Sequence, residues 1–328
     1  MSNNNAPQQL PEKYLELSDG RTLAYADTGD PSSSCLVIFF HGVFGVGSAP
    51  QLQPFLMDKN VHYVAPTLAG WGTSSPRKKD VPYHVNLASD ITQLINHLHP
   101  HDLNLKIYIA GGSYGTVPAQ MLYGAPFDVF PYGRDMVACL LMAPFSPFKL
   151  HKEYAKGLDT QSYISVGPPS QSIPFKIIPR MTAAFMKSKM TSVDKCEIFI
   201  RQTLFDPMGP EEKAKFREYR EENNKKEGEV ERSFAENVYR SVQETWDGFF
   251  EVSDTIHCDW GFSPASLDDQ HNQRPILIVS SAEDTLAPNA MAKWLAANYK
   301  NAHLRSINGG HLAALFHLND LWKQLFEL

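Results

Sequence analysis

The sequence predicts an α/β fold in which a mostly parallel sheet is covered by helices on both faces. Short, continuous apolar runs such as CLVIFF, ACLLMA and PILIVSS are separated by helix-compatible stretches, as is typical of strands buried on both faces. The chain has 43% hydrophobic and 20% charged residues and a net charge of −6, which is an ordinary globular composition. Its 328 residues are enough to bury a substantial core.

The first half of the chain alternates strands and helices after an opening hairpin. KYLEL and RTLAYADTG flank the turn Ser18-Asp19-Gly20, whose Asp-Gly pair favours a tight antiparallel turn. The hydrophobic pattern then predicts, in order, a strand at 36–40, a helix at 51–59, a strand at 61–65, a helix at 87–97, a strand at 107–110, a helix at 116–123 and a strand at 136–143.

The alternation stops between 144 and 273, a segment with few strand-like runs, and resumes at Arg274. We interpret the charged stretch from Glu211 to Arg232 as a solvated helix face, because Glu and Lys recur at i,i+4 spacing. After Arg274 the pattern predicts strand 275–281, helix 289–299, strand 303–307 and a helix from Leu312. We therefore predict a disordered N-terminus (1–12), an α/β core (13–145 and 272–328) and a mainly helical lid insertion (146–271).

Charge and motifs disfavour several classes of partner. An acidic chain without a long basic run is not expected to bind nucleic acid, and without a long apolar stretch or a signal-like start we expect no membrane partner. Four scattered cysteines favour free thiols and a cytoplasmic location. His97, His99 and His101 are interrupted by Pro100, and no dinucleotide fingerprint occurs, so we expect neither a metal nor another cofactor.

The sharpest local motif is Gly111-Gly112-Ser113-Tyr114-Gly115, which lies between a predicted strand and a predicted helix. In a nucleophile elbow a serine projects from such a turn, and the flanking glycines allow close approach of the neighbouring backbone. The alternative is a tight structural turn. The strand before it and the helix after it favour Ser113 as a catalytic nucleophile.

A serine nucleophile needs a base, and that base needs an orienting acid. Asp284 follows the strand PILIVSS, and His311 follows the last predicted strand. The order Ser, Asp, His, each after a strand, is the order of α/β-hydrolase triads. The alternatives are a helix N-cap for Asp284 and a surface histidine for His311.

Attack on a carbonyl also needs donors for the developing oxyanion. The loop His41-Gly42-Val43 follows the central predicted strand. We expect the backbone N–H groups of Val43 and Tyr114 to form the oxyanion hole, although an ordinary connecting loop would also explain this glycine-rich stretch.

Together these residues resemble the α/β-hydrolase superfamily in its lidded, single-domain form. The resemblance rests on the opening hairpin, His41-Gly42, Ala69-Gly70-Trp71-Gly72-Thr73-Ser74, the elbow, Asp284 with Pro288, and Gly310-His311. Thr67 and Ala69 stand where the family usually carries Asp and Pro. Relatives that open epoxides or displace halides use an aspartate nucleophile, so Ser113 argues against both reactions.

The resemblance implies a serine hydrolase that cleaves a small, largely apolar carboxylic ester, lactone or amide through an acyl-enzyme. A prolyl-aminopeptidase-like activity is an alternative, although the His-Gly-Gly-Pro-Gly loop of those enzymes is missing. An acyltransferase, a lyase or a non-catalytic ligand receptor on the same scaffold also stays open. We interpret the many Phe, Met and Trp residues of the insertion mainly as its own core, with some facing the cleft.

Overall fold

The computed structural model describes residues 12–49, 52–100 and 104–328. Its strands form one eight-stranded sheet of order β1-β2-β4-β3-β5-β6-β7-β8. The strands are β1 Lys13–Glu16, β2 Thr22–Gly29, β3 Cys35–Phe40, β4 His62–Pro66, β5 Lys106–Gly112, β6 Met136–Met142, β7 Ile276–Ser281 and β8 Ala302–Ile307. Only β1 with β2 and β2 with β4 pair antiparallel, so the predicted mostly parallel sheet is confirmed.

Thirteen α-helices occur in the described residues. Three helices precede β6: α1 Pro54–Asp58, α2 Tyr83–Leu98 and α3 Thr116–Tyr123. α11 Asp269–Asn272 lies directly before β7, and α12 Asn289–Asn298 and α13 Leu318–Glu327 follow β7. The others lie between β6 and α11: α4 Thr160–Ser165, α5 Pro168–Ser172, α6 Ile177–Lys189, α7 Val193–Ile200, α8 Pro210–Glu222, α9 Glu229–Gln243 and α10 Asp247–His257.

The central strands bury side chains on both faces of the sheet, which explains their continuous apolar sequences. In β3, Leu36 and Ile38 join one core cluster and Val37 joins the other. Residues of α2, α3 and α12 complete the first cluster, and residues of α1 and α13 complete the second. Helices therefore cover both faces, as the sequence predicts.

The opening hairpin has the expected geometry. β1 pairs with β2 in the register Lys13 with Tyr25 and Glu16 with Thr22. Gly20 in the turn has φ +82°, a conformation that glycine adopts without a steric cost. Residues 1–11 of the predicted disordered N-terminus lie outside the described residues, as does Gln51 at the start of the predicted first helix.

The charged stretch between β6 and β7 differs from its sequence interpretation in its helix boundaries. The stretch from Glu211 to Arg232 is not a single helix: α8 ends at Glu222, and α9 begins after Gly228, which has φ +79°. Lys225 consequently pairs with Glu229, at 3.2 Å, and not with Glu221. Asn224, directly after the C-cap of α8, has φ +52° and explains the break, because a left-handed residue does not continue an α-helix.

Two backbone contacts hold this segment against the loop after β4. The N–H of Gly72 donates to the carbonyl of Ser241 at 2.9 Å, and the N–H of Gly248 donates to that of Gly70 at 2.7 Å. A Cβ at Gly248 would lie 2.5 Å from the Trp71 ring. Only glycine at Gly248 permits this approach of α10 to the sheet.

No helix in residues 12–49, 52–100 and 104–328 is long and apolar enough to cross a bilayer. The four cysteines are free thiols, two of them buried and two half-buried.

Candidate active site

Ser113 lies on the turn that joins β5 to α3. Its φ is +53°, a left-handed conformation that is rare for a residue with a side chain. A Cβ at Gly111 would lie 2.2 Å from the carbonyl oxygen of Gly115, and a Cβ at Gly115 would lie 2.1 Å from that of Phe40. Both flanking glycines are therefore required by close backbone contacts, and Ser113 stands on a strained strand-to-helix turn, as its sequence context predicts.

Asp284 and His311 form a hydrogen-bonded pair. The Nδ1 of His311 lies 2.8 Å from Oδ2 of Asp284. The other carboxylate oxygen, Oδ1, accepts hydrogen bonds from the backbone N–H groups of Leu286 and Ala287, at 2.9 and 3.0 Å. Asp284 thus caps the turn before α12 and holds the imidazole at the same time. It is not a helix N-cap, since that position of α12 is Pro288.

These residues share one edge of the sheet. Ser113 follows β5, Asp284 follows β7 and His311 follows β8. Since β5 to β8 run parallel, their carboxyl ends meet at the same edge, which is where α/β enzymes bind ligands. Within the described part of the chain the Ser113 hydroxyl makes no hydrogen bond to the His311 imidazole. Such contacts often tighten only when substrate is bound.

The loop after β3 packs directly on Ser113. A Cβ at Gly42 would lie 3.4 Å from the Ser113 Cβ and 3.9 Å from its Oγ. His41 orients this loop, because its Nε2 accepts from the N–H of Leu68 at 3.0 Å and its Nδ1 contacts the Gly42 carbonyl at 2.8 Å. Accepting at Nε2 leaves the proton on Nδ1.

This hydrogen bond fixes the direction of the next amide. In a trans peptide the N–H points opposite to the carbonyl, so turning the Gly42 carbonyl toward His41 turns the Val43 N–H away from it. Among the described residues this N–H has no hydrogen-bond partner. Burial lowers the pKa of His41 to about 4, which keeps the ring neutral and able to accept from Leu68.

Tyr114 follows Ser113, and its side chain is fully buried. Burial raises the pKa of its phenol to about 12, and the hydroxyl interacts with Thr255 and Tyr83. Thr255 belongs to α10 and Tyr83 to α2. The side chain therefore ties the elbow to helices on either side of it, while its backbone N–H is the second predicted oxyanion donor.

Glu212 of α8 was missed by sequence reasoning. Its Oε2 accepts from the N–H of Gly310 at 3.0 Å, next to His311, whereas Oε1 is buried and has no partner within the described residues. Burial is the main cause that raises the pKa of this carboxyl. No sequence signal marks this contact, because Glu212 stands in a charged stretch that is typical of a solvated helix face.

An aromatic cluster borders the loop after β3, in which the oxyanion donor Val43 is predicted. Phe44, with φ +58°, stacks on Phe249 with ring centroids 5.0 Å apart. Its ring edges also meet Trp71 at 5.9 Å and Trp246 at 6.0 Å. Phe249 and Trp246 come from the segment between β6 and β7, so some of its large apolar residues lie beside the site. Phe175, Met181 and Phe185 are exposed to solvent, so the prediction that they belong to the core of the insertion is wrong.

Of the three histidines His97, His99 and His101, His99 takes part in a contact with another histidine. Nε2 of His99 lies 2.9 Å from Nδ1 of His62, whose Nε2 lies 3.2 Å from Oδ2 of Asp27. His101 lies outside the described residues. In the ranges that the structure describes, no group of three or more His, Cys, Asp or Glu residues could hold a metal ion.

Comparison with known proteins extends over most of the chain. Residues 37–322 match a family model described as "Alpha/beta hydrolase family". Among solved structures, a hydrolase from Pseudomonas aeruginosa is 16% identical, with 100% of each chain covered and a TM-score of 0.59. An esterase from Exiguobacterium antarcticum is 15% identical, with 97% of this chain and 98% of that chain covered and a TM-score of 0.56. At these identities the likeness shows the fold alone. A search of curated proteins gives no match.

Proposed function

Because the chain belongs to the alpha/beta hydrolase family, we propose that it is a serine hydrolase that cleaves a small, largely apolar carboxylic ester, lactone or amide through an acyl-enzyme. The observation that carries the proposal is the His311–Asp284 pair at 2.8 Å, located at the same sheet edge as the strained turn of Ser113. Nucleophile, base and orienting acid are the three parts that acyl transfer to a serine requires.

Ser113 is the proposed nucleophile and His311 its base. Asp284 accepts from Nδ1 of His311, so the proton is on Nδ1 and the lone pair of Nε2 is available. Oγ of Ser113 attacks the carbonyl carbon while Nε2 takes the hydroxyl proton. When the bond to the leaving alcohol or amine breaks, Nε2 gives it that proton, and the acyl group stays on Oγ.

Water then completes the cycle. It loses a proton to Nε2 of His311 as its oxygen attacks the acyl carbon, the bond to Oγ breaks, and Nε2 returns the proton to Ser113. In both steps the carbonyl oxygen becomes negative. We assign the N–H groups of Val43 and Tyr114 as the hydrogen-bond donors to this oxygen, because Gly42, next to Val43, packs on Ser113. Preorganised donors of this kind supply a large part of the catalysis of acyl transfer.

The substrate preference follows from the surroundings of the site. Phe44, Phe249 and Trp246 form an apolar wall beside the oxyanion loop, and burying apolar groups there is favourable by about 25 cal/mol per Å². A charged substrate would lose its hydration beside these rings. We therefore propose neutral, small-molecule substrates and assign residues 146–271 as a lid over the site. The free cysteines support a reducing, cytoplasmic location.

A kinetic panel tests the proposal. The purified protein is assayed with matched neutral, anionic and cationic esters, a lactone and an aminoacyl amide, with Ser113→Ala as the control. We expect the highest kcat/KM for neutral apolar esters and its loss in Ser113→Ala. A requirement for an added acceptor would indicate an acyltransferase, a preference for a free α-amino group would indicate a peptidase, and tight binding without turnover would indicate a receptor.

A further inference from the structure

Large apolar side chains are exposed on and beside α6, far from the interior positions expected of them. Phe175 is 79% exposed, Met181 68% and Phe185 62%. Folded proteins rarely leave several such residues together in water, and a contiguous apolar patch of this kind marks an interaction site.

The helix α6 is apolar on both sides. Its inward positions Pro179, Ala183 and Met186 are buried. At about 100° per residue, the outward face carries one stripe that is apolar except for Ser188 near the end of the helix: Ile177, Met181, Ala184 and Phe185. Because the inward side already packs against the protein, the outward stripe has no folding role. We call this stripe, together with Phe175, the α6 face.

Basic side chains flank the α6 face. By the same helical spacing, Arg180 and Lys187 lie on one side of the stripe and Lys189 on the other. Within the described residues none of these three forms an ion pair, whereas Lys176 at the helix start pairs with Asp254 at 2.7 Å. Residues 160–193 contain no Asp or Glu, although the whole chain has a net charge of −6. The charge of the α6 face is therefore opposite to that of the chain as a whole.

We propose that the α6 face binds the surface of an anionic lipid bilayer. An apolar stripe between basic flanks is the pattern of helices that lie in the membrane interface: the apolar side chains enter the headgroup boundary, and the lysines reach back to anionic headgroups. The side chains that flank the stripe without an ion pair are all positively charged, which is complementary to the negative headgroups of an anionic bilayer. The expectation of no membrane partner rests on the missing spanning segment, and peripheral binding needs none.

The α6 face adjoins the candidate site. Nζ of Lys187 lies 5.5 Å from the Trp246 ring centroid, and that ring meets Phe44 beside the oxyanion loop. Docking would place the apolar wall of the site next to the bilayer, so that an apolar substrate could enter from it. This role in substrate entry rests on the proposed function, whereas lipid binding does not.

Vesicle co-sedimentation of the full chain tests the proposal. Vesicles of phosphatidylcholine alone are compared with vesicles that also contain phosphatidylglycerol. We expect binding to the anionic vesicles that weakens as salt is added. In Lys187→Gln/Lys189→Gln it should fall about 25-fold, since each basic residue at the surface contributes about a factor of five. Met181→Gln/Phe185→Ser should lower it about tenfold or more.

Matched controls separate the α6 face from general effects. Met57→Gln alters a methionine on α1 that is 56% exposed, and Lys323→Gln alters an exposed lysine on α13. Both should bind like the wild type. No binding to anionic vesicles, or equal binding by all variants, would overturn the proposal. So would a self-associated form in ultracentrifugation that the α6 variants abolish, because the face would then join two copies of the chain.

Activity is measured separately on a water-soluble ester. We expect Met181→Gln/Phe185→Ser to keep wild-type kcat/KM on it, because neither residue belongs to the candidate triad or to the apolar wall of the site, whereas Lys187 contacts the Trp246 ring of that wall. Vesicle binding by a protein that hydrolyses none of the esters, the lactone or the amide of the kinetic panel would refute the proposed function and leave the lipid-binding proposal standing.

Discussion

His41 makes the stability of the loop after β3, the proposed oxyanion loop, depend on pH. Its pKa falls from 6.5 to about 4 on burial, and this gap of roughly 2.5 pH units corresponds to about 3 kcal/mol. Between these pH values the unfolded chain binds a proton at this histidine and the folded chain does not. The contribution to stability is therefore complete above pH 6.5 and is lost as the pH falls toward 4.

Replacing His41 by Gln removes this titration. We expect the free energy of unfolding of the wild type, measured with urea, to fall by about 3 kcal/mol more than that of His41→Gln between pH 6.5 and pH 4. Other buried histidines, such as His62 and His257, titrate in both proteins and cancel in the difference. If the free energy of unfolding changed equally with pH in the two proteins, His41 would not be the neutral group that orients this loop.

Three further predictions concern the residues around the site. Asp284→Asn should lower kcat about 10³-fold or more with the fold intact, as judged by circular dichroism; retention of most activity would place the orienting acid elsewhere. Glu212→Gln should raise the free energy of unfolding more at pH 8 than at pH 4, because a raised carboxyl pKa makes the folded state less stable as pH rises; an equal effect at both would contradict this. Gly115→Ala should destabilise by more than about 1 kcal/mol, since its Cβ would meet the Phe40 carbonyl at 2.1 Å. Gly209→Ala, with open space around its Cβ, is the matched control and should change stability by less than about 0.5 kcal/mol.

Features with a local sequence signal were predicted well. Continuous apolar runs located the central strands, and α3 begins and ends at the predicted residues, Thr116 and Tyr123. The elbow was predictable because its glycines lie within two residues of Ser113 and a strand precedes them and a helix follows, although the contact of Gly115 with the Phe40 carbonyl is long-range. Asp284 and His311 were both identified by their positions after strands, and their side chains lie 2.8 Å apart, while the catalytic role of this pair stays a prediction.

Features that depend on distant contacts were not predictable. The Glu212 carboxylate accepts a hydrogen bond from Gly310, which lies 98 residues later in the sequence. A Glu in a charged stretch gives no sign that it is buried in such a contact. The exposed Phe185 was predicted as core, because helical periodicity shows an apolar face but does not show what covers it. The break between α8 and α9 depends on the left-handed conformations of Asn224, which follows α8, and Gly228, which precedes α9, whereas salt-bridge spacing alone favoured one continuous helix.

Labelling with a fluorophosphonate probe tests the central claim most directly, because only an activated serine attacks such phosphorus readily. The labelled protein is digested and the modified peptide identified by mass spectrometry, with His311→Ala as a control that lacks the base. We predict one adduct per chain, on Ser113, with labelling greatly slowed in His311→Ala. An adduct on another serine, or none in protein that hydrolyses an ester, would contradict the assignment of Ser113 as the nucleophile.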